Sequence, residues 1–448
     1  MQNAVPQTAE SVPVRFIDKL AAALLASDMD KALALFDELS AEEAAEKQNL
    51  RLKASVLLSA GKLDDAREIT AALTDEDGND VDSLFILSNI ERASGNVKKR
   101  KLILEKILNI SPDFTPALND LGQICIESKS LKQAAAYFDR ALAASPDDMG
   151  AMHGRANTYR MEHKNDEAEA LFNKAVELYP ERGEPYSERG RFYRETGKPK
   201  QALSDLDVAK EIDTQNYWIF YDRGRALLEI GKKADALEEF DYAAKLNPDI
   251  FISYVYSAGI RDELEDIEGA GRDYETLTRL CPDYYFAFEG LGSQLMKQRR
   301  YTEAAKAFYE AYKKAPKEYN YAMLTVVNML KGGGKHQEIK PFMESVMKNI
   351  DHNKLDYYVA RLFFDFSGDS DVVRRVNLEK NPRTKAQMLF YLGNYYDIRG
   401  SAILANKFFQ KFHELQRMDL VEWRLNEWII KERGIQLGGM DGGTHNKG

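Results

Sequence analysis

Apolar residues recur along this chain with the spacing of helix faces, and the pattern restarts every 34 residues. In units beginning at residues 81, 115, 149, 183, 217, 251 and 285, positions 4, 7, 8 and 11 form one apolar stripe and positions 20, 24 and 27 a second. Each unit is therefore expected to be a pair of helices. Position 8 is always small: Ser88, Gly122, Ala156, Gly190, Gly224, Ala258 and Gly292. Position 20 is Arg100 and then Ala134, Ala168, Ala202, Ala236, Ala270 and Ala304, while position 24 is large, running Leu104, Phe138, Phe172, Leu206, Phe240, Tyr274 and Phe308. Small residues where two helices cross let the backbones approach closely. Gly197 and Gly231, at position 15, mark the turn inside the pair, and Pro112, Pro146, Pro180, Pro248, Pro282 and Pro316 close their units, with Thr214 at the step that lacks proline.

The register extends in both directions. Units at 47 (Leu50, Ala54, Leu57, Gly61, Ala66, Leu73) and 13 (Phe16, Ala23, Met29, Ala32, Phe36, Leu39) fit more loosely. Beyond 318, unit 319–352 keeps Phe342 but has Glu338 in place of alanine, unit 353–385 keeps Val359, Ala360 and Phe363, and unit 386–419 is clear again with Leu392, Gly393, Tyr396, Gly400, Ala405, Phe409 and Phe412. The expected architecture is an all-α solenoid of about twelve helix pairs: degenerate units over 13–114, well-formed units over 115–318, and degenerate and C-terminal units over 319–419. A capping helix at 420–433 (Leu420, Trp423, Leu425, Trp428, Ile429) is expected to seal the last apolar face, with flexible tails at 1–12 and 434–448. Such an array is stabilised neighbour by neighbour, so a cut after Pro316 is expected to leave a folded remainder.

The 448 residues, 44% hydrophobic and 30% charged, exceed one compact core and suit a repeat array. Two cysteines, Cys125 and Cys281, and six scattered histidines provide neither a disulfide framework nor metal-ligand spacing, so no cofactor or metal is expected. Net charge is −10, which disfavours nucleic acid as a general partner, but it is uneven: residues 1–80 carry 8 basic and 16 acidic groups, residues 297–448 carry 26 and 18. No run of 18 apolar residues exists, so no transmembrane segment is expected. Met1 to Val12 lack a leader pattern. The chain reads as cytoplasmic, or as an envelope or periplasmic protein if a signal or lipid anchor has been removed, and as a monomer.

The 34-residue pattern resembles the tetratricopeptide repeat (TPR) family over roughly residues 13–420, best in Tyr186-Ser187-Glu188-Arg189-Gly190-Arg191-Phe192-Tyr193 leading to Ala202. That resemblance implies a right-handed superhelix whose first helices line a concave groove for peptides or proteins, and no catalytic chemistry. The segment Phe390-Tyr391-Leu392-Gly393-Asn394-Tyr395-Tyr396, followed by Leu420-Val421-Glu422-Trp423-Arg424-Leu425, is also similar to the end of the NlpI family of bacterial envelope lipoproteins, which implies an adaptor role.

In the TPR family the groove is lined by positions 2, 5, 9, 12 and 13 of each first helix. Here those columns hold Asn157, Arg191 and Arg225 at position 9, Arg160 and Arg194 at position 12, His153 and Tyr221 at position 5 and Trp218 at position 2. Arginine forks take carboxylates bidentately and rings add apolar surface, so this strip suits an acidic peptide or a terminal carboxylate. The competing expectation is a solvated face whose arginines pair with Glu188, Glu195 or Asp222. The two-carboxylate clamp of chaperone-binding TPR domains is absent, because position 5 holds His153 and Phe85 rather than lysine.

A second arginine column, Arg155, Arg189 and Arg223, falls at position 7, where interhelical pairing with acids such as Asp205 and Glu239 is expected. Lys98-Lys99-Arg100-Lys101 reads as a solvated helix start, and Lys331-Gly332-Gly333-Gly334-Lys335 as a turn rather than a phosphate loop. Tyr285, Phe286, Tyr319 and Tyr321 lack an evident core duty and mark a candidate second surface. The function expected is a non-enzymatic scaffold or adaptor binding a protein or peptide segment, with no small-molecule substrate. The alternative is a nucleic-acid-binding helical solenoid using the basic C-terminal third.

Overall fold

A computed structural model describes residues 15–437; the tail expected at 1–12 and the last part of the one at 434–448 lie outside the described residues. Among the described residues there are 26 α-helices and no strand. Twelve helix pairs run from Phe16–Leu25 with Met29–Ala34 to Pro382–Ile398 with Ala402–Glu414, and a single helix, Val421–Arg433, follows. One short extra helix, Ala41–Ala45, stands between the first two pairs, started by a capping box in which Ser40 Oγ accepts from Glu43 N and Glu43 returns a carboxylate to Ser40 N.

The repeat is written in the backbone even where side chains obscure it. A left-handed residue closes the inner turn at Ser27, Gly61, Gly95, Lys129, His163, Gly197, Gly231, Glu265, Arg299 and Gly333, each 34 residues after the last. The turn demands this conformation whatever residue occupies it. For a side chain with a Cβ it is strained by about 1–2 kcal/mol, so His163→Gly, at a turn with nothing else to disturb, is expected to raise the melting temperature.

By contact the chain divides into two compact units, one ending at Asp213 and one starting at Thr214. In the first, the large residue at position 24 is held between small ones. The Phe138 ring lies against Gly122 of its own pair and Gly154 of the next, where an added Cβ would come within 2.5 Å and 2.1 Å of it. At Gly190 a Cβ would sit 2.9 Å from Leu206 Cγ and 3.2 Å from the Ala202 carbonyl oxygen. Gly190→Leu is accordingly expected to cost on the order of 1–3 kcal/mol, read as a lower thermal midpoint, because no void receives the side chain. Arg100 departs from the expectation of a solvated basic run: occupying the alanine position, it is buried and pairs with Asp120 at 2.9 Å, while Lys98, Lys99 and Lys101 stay exposed.

The position-7 arginines tie helices together. Arg155 Nε donates to Asp139 at 2.7 Å, and Arg189 grips both oxygens of Asp205 at 2.7 Å while Nη1 donates to Asn173 at 2.8 Å. In the second unit Arg223 pairs with Glu239 at 2.5 Å.

The second unit contains one continuous core running from Leu295 to Ile430. Two details differ from the sequence reading. After Gly332-Gly333-Gly334 the second helix of the pair is displaced by one residue, so Ile339 and Met343 are fully buried, while Glu338 caps the helix start and Phe342 is only half-buried. Tyr321 is buried, its hydroxyl donating to Glu289, and Tyr319 hydroxyl donates to the Asn349 carbonyl at 2.6 Å; both have structural work.

The last helix, Val421–Arg433, does more than seal an end. Leu425 and Ile429 are buried, and Asn426 Nδ2 donates to the Phe409 carbonyl at 3.1 Å. The helix also turns back to Phe251–Glu263 and Tyr285–Lys297 and the turns that follow them, pairing Arg424 with Asp262, Lys431 with Glu265 and Glu432 with Arg299. Asp262 also takes Lys297 at 2.7 Å. Because this core spans residue 316, a cut after Pro316 falls inside a packed unit and would expose Met296 and Phe308.

Glu422 lies at the centre of that closure. It is wholly buried and accepts from Tyr391 hydroxyl at 2.7 Å and Gln387 Nε2 at 3.3 Å, with no cation in contact among the described residues. Burial pushes its carboxyl above the usual range, against the pull of those hydrogen bonds. A carboxyl whose folded pKa is raised holds more protons folded than unfolded. Its contribution to stability therefore grows as pH falls from neutral toward the ordinary carboxylate range and is lost as pH rises. Calorimetry of the wild type and Glu422→Gln is expected to show this gain between neutral and mildly acidic pH in the wild type and a weaker slope in the variant.

Candidate peptide-binding faces

The candidate residues fall in both units. In the first unit they project from the helices Met149–Met161 and Gly183–Glu195. Arg160 Nη1 reaches Glu195 Oε2 at 2.8 Å, and Arg194, buried, reaches Glu195 Oε1 at 3.4 Å, so one carboxylate serves two guanidinium groups. Arg160 Nε also donates weakly to Asn157 Oδ1 at 3.4 Å. Arg191 pairs with Glu188 one turn back at 3.0 Å. His153 is buried against Phe172, and desolvation lowers its pKa, so at neutral pH it adds no positive charge to this face. The arginines here are thus engaged with local acids. Next to them, Tyr193 hydroxyl donates to Glu169 at 3.0 Å, and burial together with that bond pushes the phenol up to about 12.

In the second unit Trp218, Tyr221 and Arg225 lie along one helix, Tyr217–Glu229, whose start is capped by Asn216 Oδ1 accepting from Trp218 N at 3.1 Å. Positions 218, 221 and 225 are spaced three and four apart, which places them on one face. Trp218 is 43% exposed, while Tyr221 is buried beneath it with ring centroids 5.5 Å apart and nearly perpendicular. The Arg225 guanidinium lies 5.9 Å from the Tyr221 ring and 5.8 Å from the ring of Tyr256 on the next first helix. Tyr256 is itself stacked on Phe240, 4.9 Å between centroids and 9° between planes. Among the described residues no carboxylate is within ion-pair contact of Arg225; Asp222 acts on it only through its longer-range field. A half-buried guanidinium beside two tyrosine rings, with its fork not engaged by an acid, has the chemistry to take an anion.

Sequence reasoning missed Tyr256. It stands at position 6, where Gly154 and Gly290 make room for the ring of the preceding pair; the presence of a ring in that column was the available signal. Among the described residues no group of three or more His, Cys, Asp or Glu side chains could hold a metal ion, and no helix is long and apolar enough to cross a membrane.

Two family models, both described as tetratricopeptide repeat, match residues 126–188 in one case and 221–285 and 260–319 in the other. Residues 126–188 and 221–319 thus match tetratricopeptide repeats. Solved structures similar to the TPR array include the APC/C hetero-tetramer Cut9–Hcn1, at 16% identity and TM-score 0.46, over 68% of this chain and 60% of that one. A tetratricopeptide repeat protein from Parabacteroides merdae aligns at 20% identity and TM-score 0.45, over 54% of this chain and 96% of that one. YrrB, described as a TPR protein with an unusual peptide-binding site, aligns at 21% identity and TM-score 0.31, over 41% of this chain and 95% of that one. No curated protein matches the chain.

Proposed function

We propose that the chain is a non-enzymatic scaffold that binds an acidic or carboxylate-bearing protein segment, with Arg225 as the anchor. The observation that carries this reading is the guanidinium of Arg225, flanked by Tyr221 and Tyr256 and without an acid in ion-pair contact among the described residues. Arg160, Arg191 and Arg194 already hold Glu195 and Glu188, which leaves Arg225 to supply the bidentate contact. Trp218 offers ring surface beside it for an apolar neighbour of the bound acid. The NlpI likeness of the C-terminal segment fits the same adaptor role. The alternative, nucleic-acid binding by the basic C-terminal third, is weakened by pairing: Lys331 and Arg433 both hold Asp397, Arg374 and Arg375 both hold Asp371, and Arg383 holds Asp419. The testing experiment is site-specific photo-crosslinking in the native cell. A benzophenone side chain at Trp218 is expected to capture a defined partner peptide containing Asp, Glu or a free C-terminus, and one at exposed Leu102 is not. Equal capture at both positions would refute the assignment.

A further inference from the structure

The second unit contains a cavity that the carboxylate reading does not use. Its volume is about 370 Å3, and it lies between the helix Tyr285–Lys297 and the segment around Met418 to Arg424. Tyr274, Tyr284 and Phe286 form its aromatic wall. Tyr274 reaches this place because Gly290 has no side chain; a Cβ there would come within 2.3 Å of the ring. Phe286 is 47% exposed, so the wall is open to an arriving group.

Not every carboxylate facing the cavity has a cation beside it. Asp262 is neutralised by Lys297 and Arg424, and Asp419 by Arg383 and Arg417. Arg424, which also lines the cavity, is paired with Asp262 and reaches Glu289 only through its longer-range field. Glu289 lines the same space, and its carboxylate accepts from the Tyr321 hydroxyl, with no cation in ion-pair contact among the described residues. Nearby Glu422, wholly buried, likewise lacks a cation in contact, and its Oε2 has no hydrogen-bond partner. Desolvation, reinforced by the charge of Glu422, holds the Glu289 carboxyl above its ordinary range. A carboxylate held at this disadvantage beside three aromatic rings gains from the arrival of a positive charge, which the ring faces also attract.

We propose that this cavity receives the guanidinium or ammonium end of a basic side chain presented by a partner segment. Only the source of the cation rests on the scaffold reading; the chemistry of the cavity stands apart from Arg225. The test is saturation-transfer NMR of the full chain with N-acetyl-arginine amide, a probe that carries no carboxylate, so that failure here and failure at Arg225 register separately. N-acetyl-citrulline amide, isosteric but neutral, is expected to bind about tenfold more weakly or not at all. Glu289→Gln is expected to weaken the arginine probe about tenfold, and Phe286→Ala, at an exposed position that leaves the fold intact, about threefold. Agmatine, which has the same guanidinium without peptide flanks, separates a side chain from a free amine: it is expected to bind no more tightly than the amide probe. Equal binding of the citrulline probe, or undiminished arginine binding in both variants, would overturn the site. Agmatine binding at least tenfold tighter than the amide probe would overturn a partner side chain as the source.

Discussion

Ending the chain after Leu420 is expected to unfold the second unit as a block. The helix Val421–Arg433 buries Leu425, Ile429 and Ile430, and exposing three such side chains costs about 5–9 kcal/mol, a large part of the whole stability of a typical domain. The loss also reaches back along the chain, because Arg424, Lys431 and Glu432 are the partners of Asp262, Glu265 and Arg299. Hydrogen exchange reads the difference. A purely neighbour-by-neighbour solenoid would lose protection in Pro382–Ile398 and Ala402–Glu414 alone. The closed arrangement predicts that Phe251–Glu263 and Tyr285–Lys297, more than a hundred residues upstream, lose protection at the same time. Full protection of those two helices in the truncated chain would show that the returning helix contributes nothing to them.

The second large effect is at Arg225. Arg225→Glu replaces the one candidate guanidinium that the described structure leaves without an ion-pair contact, and it places a like charge against the incoming acid. Binding of a carboxylate-bearing segment is expected to weaken by about 2–5 kcal/mol, which for a micromolar ligand means loss of detectable binding. Arg225→Lys keeps the charge but loses the planar fork beside the Tyr221 and Tyr256 rings, so an intermediate loss is expected. Arg191→Glu is expected to do less, because Arg191 already shares Glu188. Helicity and melting should barely change in any of the three.

The repeat was legible in the sequence because its packing repeats. A glycine at 122 or 190 is required by the ring or leucine that lies on it, and that demand recurs with the period. The loose N-terminal units also kept their register, since the left-handed turn at Ser27, Gly61 and Gly95 constrains backbone rather than side-chain identity. The one-residue displacement after Gly334 was not legible: Phe342 and Met343 are both apolar, and only the packing decides which is buried. Nor was the return of the last helix, whose partners Asp262 and Arg424 are 162 residues apart and belong to no periodic pattern. At the candidate site the columns of arginine were visible, but whether each arginine had an acid beside it depended on rotamers and on neighbouring helices. Sequence columns alone therefore could not separate Arg225 from Arg160, Arg191 and Arg194.

The affinity of selected peptides decides whether an acidic segment seats at Arg225. Peptides selected from a random displayed library on the full chain would be titrated by calorimetry against the wild type and Arg225→Glu. The selected peptides are expected to share an Asp, a Glu or a free C-terminal carboxylate and to lose at least about tenfold in affinity for the variant. Selected peptides that lack any carboxylate, or that bind Arg225→Glu as tightly as the wild type, would contradict that seat.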